Sequence, residues 1–290
     1  MMRCELVLVG ALTLLSSMAG NCSRARVESM NKMNDGVIAA QQKRFMDAVK
    51  LLESAAAIDP QNDQVFWNMA IVHMEMHKYE RARDDLQKGI AVNPKSAGYQ
   101  EKLGTVLMEL KDWSGAKAAF SKAIELDPSL FKAHFKLAQV DEELDDPQSA
   151  LKHYTDAVQK GPRFLEAYSS LGRLYADLMY LEQASQVLNE ALKVALQGTE
   201  EEAHVHHLLG TVYQQQKKHD DAVREFRAAL DVVSGMREAL FSLGWTYYLQ
   251  GNKEEAKRFL KKFIDVAGAE APAHYVKAAR DKLSEMAEGF

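Results

Sequence analysis

Seven small residues, Gly36, Ala70, Gly104, Ala138, Gly172, Gly210 and Gly244, recur along the chain at spacings of 34, 34, 34, 34, 38 and 34. A second series, Ala48, Ala82, Ala116, Ala150, Ala184, Ala222 and Ala256, keeps the same register. A third runs Ala55, Gly89, Ala123, Ala157, Ala191 and Ala229, and breaks at Phe263. Pro60, Pro94, Pro128 and Pro162 close the first four units. Three series in phase at one period require a repeated supersecondary unit that buries its apolar face against its neighbours. With 290 residues and 47% apolar content, the chain has ample material for such a core.

Each unit reads as two amphipathic helices, here called A and B. In the third, helix A covers about 97–110 and helix B about 114–126, joined by Lys111, Asp112 and Trp113. Leu103, Val106, Leu107 and Leu110 fall at helical spacing and form the buried stripe of helix A. Gly104 lies beside that stripe, where a side chain would hold helix B away. Ala116 and Ala123 repeat one heptad apart on helix B and permit the same approach from the other side, while Phe120 and Ile124 fill the space between. Asp127-Pro128 then ends the helix, because proline lacks an N–H and disfavours helix in the residue before it.

These residues resemble the tetratricopeptide repeat family, in period and in the order of the large, Leu-Gly, aromatic, Ala, Phe, Ala and Pro positions. The fifth unit matches through Tyr168, Leu171, Gly172 and Tyr175, and the sixth through Leu209, Gly210, Tyr213, Ala222, Phe226 and Ala229. The resemblance implies an all-α, right-handed superhelical solenoid of seven helix pairs, at 29–62, 63–96, 97–130, 131–164, 165–198, 203–236 and 237–270. A capping helix within 271–290 follows, with Tyr275, Val276, Ala279, Leu283 and Met286 on its inner face. Departures fall late: Leu196, Ser234 and Gly268 stand where proline is expected. Four extra residues near 199–202 predict a longer turn or an extended helix. The first unit is weak, with Lys32 and Asp35 at usually apolar positions, and is expected to fray.

In resembling proteins helix A lines a concave wall that holds a partner polypeptide. The matching positions here include Trp67, Ile71 and Met74, then Met108, then Phe135 and Gln139, then Arg173, then His207, and finally Phe241, Trp245 and Tyr248, with Asn68 beside them. Large aromatics that a core does not need are candidates for binding energy, since interface hot spots favour Trp, Tyr and Arg. The Lys, Asn and Arg clamp with which some family members hold a chaperone C-terminus is missing, so an extended or helical peptide is the expected partner.

The N-terminus points to export. Leu6–Ala19 is an apolar run of 14 residues, too short to span a bilayer as a helix and the right length for a secretory signal. Cys22 follows Ala19, Gly20 and Asn21, and this end is similar to bacterial lipoprotein signals, although Asn21 departs from their usual small residue. Cleavage after Ala19 is the competing reading. Cys4 leaves with the signal either way, so one cysteine remains, and acylation accounts for it. The expected layout is a signal at 1–21, a tether at 22–28 and the repeats. The mature protein is then expected on the outer membrane or, if unacylated, free in the periplasm. The resemblance extends to lipoproteins of this repeat class, the pilotins, that help secretin or pilus channels assemble.

Other functions find little support. The net charge of −5 argues against nucleic acid as a partner. Dinucleotide, Walker, H-E-x-x-H, C-x-x-C and G-x-S-x-G motifs are missing, and no cofactor is expected. His204, His206 and His207 form one local cluster, of which the first and last share a helix face, but no second ligand pair lies nearby. A histidine-metal enzyme is therefore the remote alternative, and no metal site is assigned.

Overall fold

In the computed structural model, residues 15–268 and 272–288 are described, with side chains from Arg24 to Gly268 and from Pro272 to Ala287. All regular structure among them is α-helical, and the helices are packed in pairs with an odd one at the C-terminus. The chain divides into two compact units, one ending at Asp146 and the other beginning at Pro147, so the division falls inside the fourth repeat.

The first unit holds α1 (Leu15–Gln41), α2 (Phe45–Ile58), α3 (Asp63–Glu75), α4 (Tyr79–Val92), α5 (Ala97–Glu109), α6 (Trp113–Leu126) and α7 (Phe131–Glu143). Its pairs are α1 with α2, α3 with α4 and α5 with α6, each also packing on the next helix in sequence. At Gly104 a Cβ would stand 2.8 Å from the Phe120 ring, so only glycine lets α5 approach α6 this closely. Gly89 stands where five other units use alanine, because a Cβ there would meet the buried Tyr99 ring at 2.2 Å. The first pair is packed rather than frayed: Leu52, Ala39 and Ala48 are fully buried, and the Ser29 hydroxyl donates to Ala55 O at 2.9 Å. Residues 22–28, read as a tether, continue α1 as helix. At ~1.5 Å per residue they rise only ~10 Å.

The second unit holds α8 (Pro147–Lys160), α9 (Leu165–Asp177), α10 (Leu181–Val194), α11 (Glu200–Gln215), α12 (His219–Val232), α13 (Arg237–Leu249), α14 (Lys253–Ala267) and α15 (Ala273–Glu288). The inserted residues went mostly into helix, since α11 has 16 residues and α9 has 13. Thr199 caps α11 by accepting from Glu202 N, and the Glu202 carboxylate accepts from Gly198 N–H at 2.7 Å. Glu200, Glu201 and Glu202 in the first turn complement the helix dipole. As expected, α15 seals the last pair with Ala279 and Met286 buried. Tyr275 is the exception on its inner face, being 43% exposed.

Every A-to-B turn uses the left-handed backbone at one position. Lys43, His77, Lys111, Asp145, Met179, Lys217 and Gly251 all have φ between 54 and 76°. They are the fifteenth residues of their units, and six of the seven are not glycine.

Candidate functional site

The candidate binding side chains lie on A helices in both units. In the first unit Trp67 is half-buried. It meets Tyr99 edge-on, with ring centroids 5.2 Å apart, and Lys102 Nζ lies 5.9 Å from the centroid of the Trp67 ring. Tyr99 is fixed by donating to the Asp63 carbonyl, and Asn93 Nδ2 donates to the Asp63 carboxylate at 2.8 Å. Burial, with the Asp63 charge, raises the Tyr99 phenol well above its usual range. A cavity of about 360 Å³ opens here, lined by Asp63, Gln64, Trp67, Asn68, Ser96 and Tyr99. Ile71, Met74, Met108 and Gln139 are half-buried, and Lys136 holds the Gln139 amide at 3.0 Å. Phe135 departs from the sequence reading: at 8% exposure it belongs to the interior and offers a partner little surface.

In the second unit Phe241, Trp245 and Tyr248 rise along α13 at helical spacing. Phe241 stacks on Trp245 at 5.9 Å, and Trp245 stands 5.8 Å from Tyr248. What sequence reasoning missed is the contribution of α15 to this cluster. Tyr275 meets Phe241 at 4.8 Å, and the Tyr248 hydroxyl donates to Glu285 at 2.6 Å. Lys282 Nζ donates to Tyr248 Oη at 3.1 Å and lies 4.6 Å from that ring's centroid. All three rings of the trio remain partly exposed. Arg173 is exposed and bonds to Asp177 at 3.1 Å.

The histidine cluster divides. His206 Nδ1 meets Glu225 at 2.8 Å, and His207 Nε2 meets Ser242 Oγ at 3.3 Å. Burial, reinforced by His204 and opposed by Glu238, depresses the His207 pKa to about 4. Burial also lowers that of His204. Among the described residues no group of three or more His, Cys, Asp or Glu is placed to hold a metal ion. A neutral His207 binds fewer protons folded than unfolded between pH 6.5 and 4, so stability is full above pH 6.5 and lost as pH falls through that window. His207→Gln is expected to flatten that decline by about 1–3 kcal/mol, read from urea midpoints at pH 7 and pH 4.5. An unchanged pH slope would count against the buried neutral ring.

The inserted segment also frames a cavity in this unit of about 910 Å³, with Glu166, Leu196, Glu200, His204, Met236 and Arg237 on its lining. Leu196, standing where a proline was expected, is 75% exposed there. The departure from the repeat was legible in sequence; the opening it creates was not.

Profiles of the tetratricopeptide repeat match residues 39–104, 97–130, 165–197 and 207–272, which together make well over half of the chain. The chain belongs to the tetratricopeptide repeat family. No curated protein matches it. Among solved tetratricopeptide repeat structures, it is similar to the C-terminal part of a repeat-containing protein from Cytophaga hutchinsonii. That likeness has a TM-score of 0.71 at 14% identity, covering 87% of this chain and 99% of that one. PilW, described as a widely conserved type IV pilus biogenesis factor, gives 0.58 at 17% identity over 73% and 96% of the two chains. YrrB, described as having an unusual peptide-binding site, gives 0.56 at 22% identity over 67% and 97%. At these identities the likeness establishes the fold alone.

Proposed function

We propose that this tetratricopeptide repeat protein is a non-enzymatic scaffold of the bacterial cell envelope. It holds an extended or helical segment of a partner protein against its A-helix walls and is anchored to the outer membrane through an acylated Cys22. The observation that carries the reading is the partly exposed aromatic surface of those helices, Trp67 in one unit and Phe241, Trp245 and Tyr248 in the other. Trp67 packs on the cluster of Leu86 and Tyr99, and Phe241 and Tyr248 on that of Phe226 and Leu240, yet each of the four rings keeps part of its surface accessible to a partner. YrrB lends support as a relative in fold with a peptide site, and PilW lends support to an assembly role of the pilotin kind.

The apolar Leu6–Ala19 run and the single cysteine left after it support the anchor. Residues 1–14 and the Cys22 side chain lie outside the described residues, and no helix among the described residues is long and apolar enough to cross a membrane. Two or more acyl chains supply stable attachment without a spanning helix. The intact mass of the mature protein tests this part: added acyl mass on Cys22 supports it, and a free thiol leaves a periplasmic adaptor.

The binding part is tested by pull-down from envelope extract, followed by titration of the recovered partner against Trp67→Ala and Trp245→Ala. Each substitution is expected to weaken binding about 30-fold or more, the factor set by ~2 kcal/mol at a hot spot. Unchanged affinity in both variants, with melting temperatures intact, would overturn the wall as the binding surface.

A further inference from the structure

The tenth residue of each unit sits on the side of helix A that meets the pair before it. Val72, Val106, Val140 and Val212 occupy this position and are at most 4% exposed. They join clusters that include B-helix residues of the preceding pair, such as Leu52, Leu86, Phe120 and Leu188. Ile38 holds the same position in α1 and is 49% exposed. Val27 and Met30, at 55% and 45%, lie with it on one face at helical spacing. Asn31 and Asn34 complete that face, Arg24 stands one turn before Val27, Arg26 lies on one flank, and the acidic Glu28 and Asp35 lie on the other. The other end of the chain differs, because α15 covers the last pair there.

On the anchoring reading, cleavage ahead of Cys22 leaves its acyl chains at the start of the mature chain, five residues before Val27 and ~7.5 Å away along the helix. Because 22–28 is helical, nothing in this stretch is a slack linker that would let the first pair swing away from an anchor at Cys22. We infer that the outer face of α1 is a membrane-docking surface. Val27, Met30 and Ile38 enter the boundary between headgroups and acyl chains, and Arg24 and Arg26 meet lipid phosphates. An interfacial helix of this kind needs an apolar face and cationic side chains at the phosphate level. A second copy fits less well, since three half-exposed side chains offer on the order of 200 Å² where a stable dimer needs about 800 Å² per partner.

The inference rests on the anchoring reading, so the test separates the two. A chain starting at residue 22 with Cys22→Ser carries an N-terminal histidine tag. It is held on vesicles of phosphatidylethanolamine and phosphatidylglycerol that contain a nickel-chelating lipid. Single cysteines replace Met30, Ile38 or, as control on α15, Asp281, and each bears a polarity-sensitive dye. Emission at positions 30 and 38 is expected to rise at least twofold and shift to the blue on vesicles, while position 281 stays unchanged. No change at 30 and 38 overturns the docking face whatever the intact mass says of Cys22. A change that appears without vesicles and grows with protein concentration assigns the face to a second copy and overturns it equally.

Discussion

Phe226→Ala is expected to destabilise the second unit by about 3–5 kcal/mol, the range for emptying a fully buried aromatic site. Phe226 has no exposed surface and lies in one cluster with Ala222, Ala239, Leu240 and Leu243, so it joins α12 to the helix of the next pair. Its ring occupies the space that Gly210 leaves open: a Cβ on Gly210 would stand 2.7 Å from it. Gly210→Ala alone should therefore also destabilise, although alanine favours helix by about 1 kcal/mol over glycine. With Phe226 removed, the same methyl enters vacated space and should cost nothing further. The double-mutant cycle is expected to show a coupling of about 1–3 kcal/mol. The readout is the urea midpoint followed by Trp245, with Trp67→Phe and Trp113→Phe in the background so that the signal reports this unit. Additive losses would mean that glycine is there for another reason than the ring.

Asp85→Ala is expected to cost the first unit about 3–5 kcal/mol, because it leaves His73 without its partner inside the pair α3 and α4. His73 Nδ1 and Asp85 Oδ2 stand 2.6 Å apart with both side chains at most 5% exposed. Lys88 Nζ, 3.6 Å from the other carboxylate oxygen, is mostly exposed and cannot replace the imidazole. The double variant His73→Leu/Asp85→Leu should lose far less than Asp85→Ala alone, since apolar pairs of similar volume often equal a buried polar pair. Urea unfolding followed by Trp67 and Trp113 measures both. A double variant as unstable as the single would show that the pair contributes net stability of its own.

The fold was open to reading from sequence because close helix approach leaves a chemical trace. Gly104 and Gly210 could be spotted at a fixed period, and the large residues facing them, Phe120 and Phe226, lie where the pattern puts them. The site was legible only in outline. Trp67 and Trp245 could be placed on the A helices, but half-burial of Trp67 depends on Tyr99, a neighbour 32 residues on. Phe135 carries the same helical position as Trp67 and yet is buried, a difference that periodicity cannot express. The polar contacts of Tyr248 come from α15, outside the repeat register altogether. His73 with Asp85 escaped notice because two polar residues at mostly apolar positions look like noise until they are seen facing each other.

The left-handed residue in each A-to-B turn bears on how such chains diverge. Four kinds of side chain at six positions, lysine at three and His77, Asp145 and Met179 at the others, accept a conformation that costs an L-residue on the order of 1 kcal/mol or more. The reversal is thus imposed by the two helices on either side, and the identity at the bend is left to drift. A lineage built this way can rewrite its corners freely while its backbone path persists, which accords with architectures that still superpose when four residues in five have changed.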